Sequence, residues 1–233
     1  MRLPFVHTAA GAVLAVALLA GCGDTRTTTS AETSTPASAP AASDANAGHN
    51  AVTGHAQMPS MVRLQEASGE AFDTAFLSEM IEHHQGALEM SEKALPELKR
   101  AELKEMAQKI IADQKKEIEQ MTAWTKEWSG KEPDPELRQL MKTDMAPMMS
   151  AFENDCRTDC DRAFLTHMTM HHQMAVDMAK MAQEKATRPE LKELAGKMAE
   201  TQAREIEQFS TWLKEWYPGA PTAAEDHSGH DHP

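Results

Sequence analysis

The chain repeats itself. "FLSEMIEHHQGALEM" at 76–90 lies over "FLTHMTMHHQMAVDM" at 164–178, an offset of 88 residues. The same offset carries Leu103 onto Leu191, Gln114 onto Gln202, Glu117 onto Glu205, Trp124 onto Trp212 and Trp128 onto Trp216, without a gap. The lead-ins follow, with Pro59 and Met61 falling on Pro147 and Met149. Roughly half of positions 72–128 are identical to their partners. Self-similarity of this kind means that each unit is one supersecondary piece that cannot bury its apolar face alone. The fold must be built from two like halves, 58–128 and 146–216, with "SGKEPDP" at 129–135 between them.

Each half reads as two helices. Phe76, Met80, His83, Ala87, Met90 and Ala94 are spaced 4-3-4-3-4, a stripe down one helix face. Leu77, Ile81, His84 and Leu88 widen it. Leu103, Ala107, Ile110, Gln114, Glu117, Met121, Trp124 and Trp128 keep the same spacing in a second helix. Pro96–Arg100 supplies the turn, and Pro189 stands at the equivalent place in the second half. Alternating β-branched runs do not persist anywhere. The expected fold is all-α, an antiparallel four-helix bundle of two tandem helical hairpins over 58–217. Short additional helices are expected at 58–68 and 135–153.

The ends are of a different character. Arg2 and the apolar run "AAGAVLAVALLA" (9–20) read as a signal peptide over 1–21, too short for a comfortable membrane span. It closes on Leu19-Ala20-Gly21-Cys22, which resembles the lipobox of bacterial lipoproteins and implies cleavage before Cys22 and lipid attachment to it. The expected location is the bacterial cell envelope, lipid-anchored on the outer side of the cytoplasmic membrane, or at the outer membrane or in the periplasm of a Gram-negative cell. Residues 22–57 hold too little apolar surface to order themselves and read as a tether. Residues 218–233 form a similar His-rich tail. The net charge of −13 repels phosphate backbones, so nucleic acid is not an expected partner. In an exported chain Cys156 and Cys160 form a disulfide in the loop "CRTDC" or act as soft metal ligands; the disulfide is the simpler reading.

Polar residues interrupt each core stripe: His83, Gln114 and Glu117, then His171, Gln202 and Glu205. Buried polar groups are costly unless paired. In an antiparallel hairpin, residues equidistant from the turn share a height. His83 is then expected to face Gln114 and Met80 to face Glu117, with the same layer in the second hairpin. His83 and His84 point about 100° apart, so one turns toward its own hairpin and the other toward a neighbouring helix. A hydrogen-bonded network that sets helix register would account for such a layer, and methionine is more often filler than ligand. A metal site would account for it too. Bundle di-iron sites use Glu-x-x-His, but here Met80 and Met168 stand where that Glu would be. Thioether and imidazole together favour Cu(I), while imidazole also suits Cu(II) and Zn. Five further histidines, His49, His55, His227, His230 and His232, lie in the tails and can serve as weak capture sites.

The repeated motif Phe-Leu-x-x-Met-x-x-His-His-Gln-x-Ala, with the later Gln-x-x-Glu-Ile and Trp, resembles the bacterial "domain of unknown function 305" family. The resemblance covers about 58–217. It implies a ferritin-like helical bundle and, through the CopM-like exported members, copper binding. The positions matching the motif are Met80, His83, His84, Met168, His171 and His172. His167 and Met170 replace Glu79 and Glu82, so the second site is richer in soft ligands and the two need not be equivalent.

The expected metal residues are therefore Met80, His83, His84, His167, Met168, His171 and His172. Gln114, Glu117, Gln202 and Glu205 are expected to hold the imidazoles in place. The expected activity is copper sequestration or transfer to a copper-handling partner protein. Two alternatives stay open: a metal-free adaptor bundle, and a metal-dependent oxidase, which needs an open coordination position. No nucleophile and base are spaced for hydrolysis.

Overall fold

The computed structural model describes residues 54–219. The signal peptide, Cys22, His49 and the tail histidines His227, His230 and His232 lie outside them. Among the described residues there are five α-helices, a short 3-10 turn at His55–Gln57 and no strand. The helices are α1 (Pro59–Glu66), α2 (Gly69–Ala94), α3 (Ala101–Ser129), α4 (Pro135–Lys185) and α5 (Pro189–Trp216). None is long and apolar enough to cross a membrane.

The ends of these helices follow from local chemistry. α3 stops where Gly130 takes the left-handed conformation, φ 69°. α4 starts where the Asp134 carboxylate accepts from the backbone N–H of Glu136 and Leu137, at 2.8 and 3.3 Å, with Pro135 in the first turn. Pro189 likewise stands in the first turn of α5, there without a side-chain cap.

One expectation is corrected. Residues 135–153 are not short separate helices, and "CRTDC" is not a loop. A single element runs from Pro135 to Lys185, passing Pro147 and bending at Asp159, whose φ of −150° and ψ of 95° are non-helical. Cys156 and Cys160 are joined as a disulfide beside that bend. In the first half the equivalent stretch is cut at Ala67, extended at φ −67° and ψ 151°, so α1 is separate from α2.

α2 packs on α3, α4 on α5, and α2 on α4, giving a helical bundle of two hairpins. The interlock is reciprocal. The Asp73 carboxylate accepts from the backbone N–H of Thr187 at 2.9 Å, in the turn of the second hairpin. Its repeat partner Asp161 accepts from the N–H of Lys99 at 2.8 Å, in the turn of the first. Arg100 stacks over Trp216 at 4.1 Å and Arg188 over Trp128 at 5.1 Å. Every one of these pairs maps onto its fellow under the 88-residue offset, so the hairpins are related by a pseudo-two-fold axis.

The apolar core falls into two clusters. One holds Phe72, Phe76, Met80, Met121, Met141, Met145, Met174, Met178 and Met198. The other holds Met90, Leu103, Ile110, Phe152, Phe164, Met168 and Phe209. In α2 the break between them falls at residues 82–86, and in α4 at 169–173. The histidine doublets occupy that break.

Candidate metal centre

His83, His84, His171 and His172 are all fully buried, 0% exposed. The stripe explains why: each doublet sits where α2 and α4 face one another across the pseudo-two-fold axis. His83 and His171 are repeat equivalents, and their rings lie against each other with centroids 3.8 Å apart. The axis therefore passes between them. The second histidine of each doublet turns to its own hairpin. His84 Nε2 lies 2.7 Å from Glu117 Oε2, and His172 Nε2 lies 2.9 Å from Glu205 Oε2.

That contact has a chemical consequence. A carboxylate only accepts, so Nε2 of His84 and His172 carries the proton. In a neutral ring the lone pair is then on Nδ1, and in both residues Nδ1 is buried without a partner. His83 and His171 have no hydrogen-bond partner at either ring nitrogen. Burial pushes both well below the ordinary histidine value of 6.5, and the surrounding imidazoles, His55 among them, push further the same way, against a smaller opposing effect of the His83 backbone on His171. Both rings are neutral at pH 7 and keep a lone pair.

Six ring nitrogens thus stand unpaired in one buried layer. Each buried polar group left unpaired costs about 1–3 kcal/mol. Imidazole lone pairs, with carboxylates fixing the tautomer behind them, are suited to a metal ion. Among the described residues no three His, Cys, Asp or Glu side chains converge on one point. A shell of these donors alone is therefore not preassembled among the described residues.

The structure sorts the remaining expected residues. Met80 and Met168 are fully buried, in the two separate apolar clusters flanking the layer. His167 is buried one turn before His171, but its Nε2 is taken by Asp155 at 2.8 Å and its ring stands edge-on to Phe152. Gln114 and Gln202 do not pair with the histidines as expected. Both are buried in the layer with amide atoms unpartnered. Helix rotation is the reason: with His83 directed at His171, it is His84 that meets α3, at Glu117.

The two carboxylates are not equivalent. Glu205 also receives Lys109 Nζ at 2.8 Å, from the other hairpin. Burial alone would raise its carboxyl, but the hydrogen bonds from His172 and Lys109 outweigh burial and hold it below the usual range. Glu117 is 23% exposed at its side chain.

Sequence reasoning missed two residues. A side-chain carbon built on Gly86 would lie 3.2 Å from His171 Nε2, 3.1 Å from Met145 Cε and 3.4 Å from Met145 Sδ. The absence of a side chain at Gly86 thus lets one imidazole and one thioether pack close to the same point of α2. Met145 precedes the repeat motif, and the position it maps onto is Gln57, so the repeat gave no sign of it.

The geometry can be set beside known proteins. The chain is similar to CopM in its Cu(II)-bound form, at 33% identity and a TM-score of 0.55, over 62% of this chain and 97% of that one. CopM in its Cu(I)-bound form matches at 33% identity and a TM-score of 0.51 over the same shares. A DUF305 protein from Streptomyces coelicolor matches at 28% identity and a TM-score of 0.51, over 61% of this chain and 92% of that one. No curated protein matches the chain. The model of the family described as "Domain of unknown function (DUF305)" matches residues 23–125, 89–213 and 161–233. With its duplicated Met-x-x-His-His motif, whose histidine doublets share one buried layer, the chain belongs to the DUF305 family.

Proposed function

We propose that this protein binds copper, with Cu(I) favoured, and that it holds or hands over the ion outside the cytoplasmic membrane. One observation carries the reading: four fully buried imidazoles at the bundle centre with six unpaired ring nitrogens. His84 and His172 would present Nδ1, backed by Glu117 and Glu205, and His83 and His171 would present whichever nitrogen is unprotonated. Met80 and Met168 would add thioether donors, which select soft ions over iron and manganese. CopM, a third identical and alike in fold, has been solved in Cu(I)-bound, Cu(II)-bound and Ag-bound forms, and this supports the same chemistry here. Lipid attachment at Cys22 would keep the bundle at the membrane, within reach of a copper-handling partner.

The hydrogen bonds from His84 and His172 to glutamates would serve a metal-free adaptor equally well. The central pair separates the two readings, because a register-setting network has no use for two rings with no partner at all. Anaerobic titration of the full chain with Cu(I) against a competing chelator, with Zn(II) in parallel, tests it. Tight Cu(I) binding that drops at least a hundredfold in a His83→Ala/His171→Ala variant is expected. Undiminished binding in that variant, or none in the wild type, would remove the bundle centre from the function.

A further inference from the structure

The repeat symmetry predicts two like sites, yet the space around the central pair is one-sided. Gly86 and Met174 are equivalent positions. On the Gly86 side the missing side chain lets two donors pack close to the helix backbone, and His171 Nε2 and Met145 Sδ both come within 3.4 Å of the point a Cβ would take. On the other side the position carries a whole methionine, 1% exposed and packed in the core. Met145 is itself buried, 3% exposed, and is delivered by the first part of α4, which lies outside the repeated motif. Its nitrogen neighbour has no hydrogen-bond partner at either ring position.

We propose that Met145 and His171 are the two principal donors of a single off-axis site for a soft monovalent cation, Cu(I) or Ag(I), between the sulfur and the imidazole that Gly86 lets approach. The proposal rests on the copper reading above and names the site that reading leaves general. A d10 monovalent ion tolerates few ligands and favours sulfur and imidazole, so one thioether and one imidazole suffice where a harder ion needs more. Methionine has three rotatable bonds, so its sulfur can close on an ion without backbone movement. His83, its ring centroid 3.8 Å from that of His171 and both its nitrogens unpaired, stands beside this site as an additional donor. The site is single because neither feature has a counterpart: Gln57 stands where Met145 would be repeated, and Met174 where Gly86 would be.

The test compares the full chain with Met145→Leu, Gly86→Ala and Met141→Leu. Leucine keeps the volume of methionine and removes the sulfur. Met141 is equally buried one turn earlier and serves as the control. Cu(I) affinity is read anaerobically by chelator competition. Ag(I) binding is read from the methyl resonances of 13C-labelled methionines, with Met145 assigned by its loss in Met145→Leu. The expected result is a loss of at least tenfold in Cu(I) affinity for Met145→Leu and for Gly86→Ala, none for Met141→Leu, and a shift of the Met145 methyl at one equivalent of Ag(I). Wild-type affinity in Met145→Leu, an equal loss in Met141→Leu, or an unmoved Met145 methyl while others shift would overturn the site and leave copper binding standing. No Cu(I) or Ag(I) binding by the wild type would overturn both.

Discussion

The two hairpins share about half their residues and the same backbone plan, but they differ where polar groups are handled. In the first, Glu79 is buried with neither carboxylate oxygen paired, and burial, opposed by Arg63 and helped by Asp144, pushes it up to about 8. In the second, the equivalent His167 is paired with Asp155. Glu117 stands behind His84 at the edge of solvent, whereas Glu205 stands behind His172, buried and held by Lys109. The cores differ too: Phe209, which touches His172 and Phe164, replaces Met121. Duplication supplies two copies of a scaffold, and a few substitutions at the polar layer are enough to give each a different chemistry.

The largest expected effect tests the packing difference. Phe209→Ala should cost about 4 kcal/mol in urea unfolding and Met121→Ala about 3, since both are fully buried and leave cavities. Equal losses would mean that the aromatic cluster adds nothing beyond volume.

The next effect separates the histidines from Glu79 by pH. The folded-state pKa of His83 and His171 is depressed, so the stability they contribute is present above 6.5 and is lost as pH falls below it. Each costs about 1.4 kcal/mol per pH unit while it stays neutral in the fold. Glu79 is raised, so its contribution is complete below the usual 4.5 and drains away as pH rises toward about 8. Two histidines outweigh one carboxyl, and the apo protein should lose roughly 1.4 kcal/mol per pH unit on acidification from 6.5. Glu79→Gln should steepen that loss and should stabilise the protein at pH 8. Thermal melts at pH 5, 6.5 and 8 read both slopes. A variant that follows the wild type at all three would mean that Glu79 is ionised throughout.

The smallest effect concerns the lysines. Lys109 and Lys197 are equivalent, but Lys109 reaches Glu205 while Lys197 pairs along its own helix with exposed Glu193. Lys109→Gln should cost at most about 1 kcal/mol and Lys197→Gln close to nothing. Chemical denaturation resolves the two, and matching values would make the hairpins equivalent at this layer.

Much of this was legible in the sequence. The offset and the 4-3 stripes located the four long helices, and the break in the stripes located the polar layer. The direction each histidine takes was only half legible. Adjacent residues on a helix diverge, so one of each doublet had to leave its own hairpin, but height alone assigned Gln114 to His83. The observed partner of the doublet is Glu117, through His84. The continuity of α4 was hidden because Pro147 aligns with Pro59, which begins a helix, whereas Pro147 lies inside one. Met145 was hidden because it has no counterpart in the repeat and because its role depends on an absent side chain at Gly86.

The reciprocal clamps have a consequence for ancestry. Asp73 with the second turn and Asp161 with the first, Arg100 on Trp216 and Arg188 on Trp128, form an interface in which each residue meets the partner of its own equivalent. That is the rule of an isologous homodimer. A single hairpin peptide could associate with a second copy through these same contacts and bring its two first-of-doublet histidines together on a true two-fold axis. Joining the copies in one chain relieved them of having to match, and the exchange of glycine for methionine across that axis is a change only a fused protein could make.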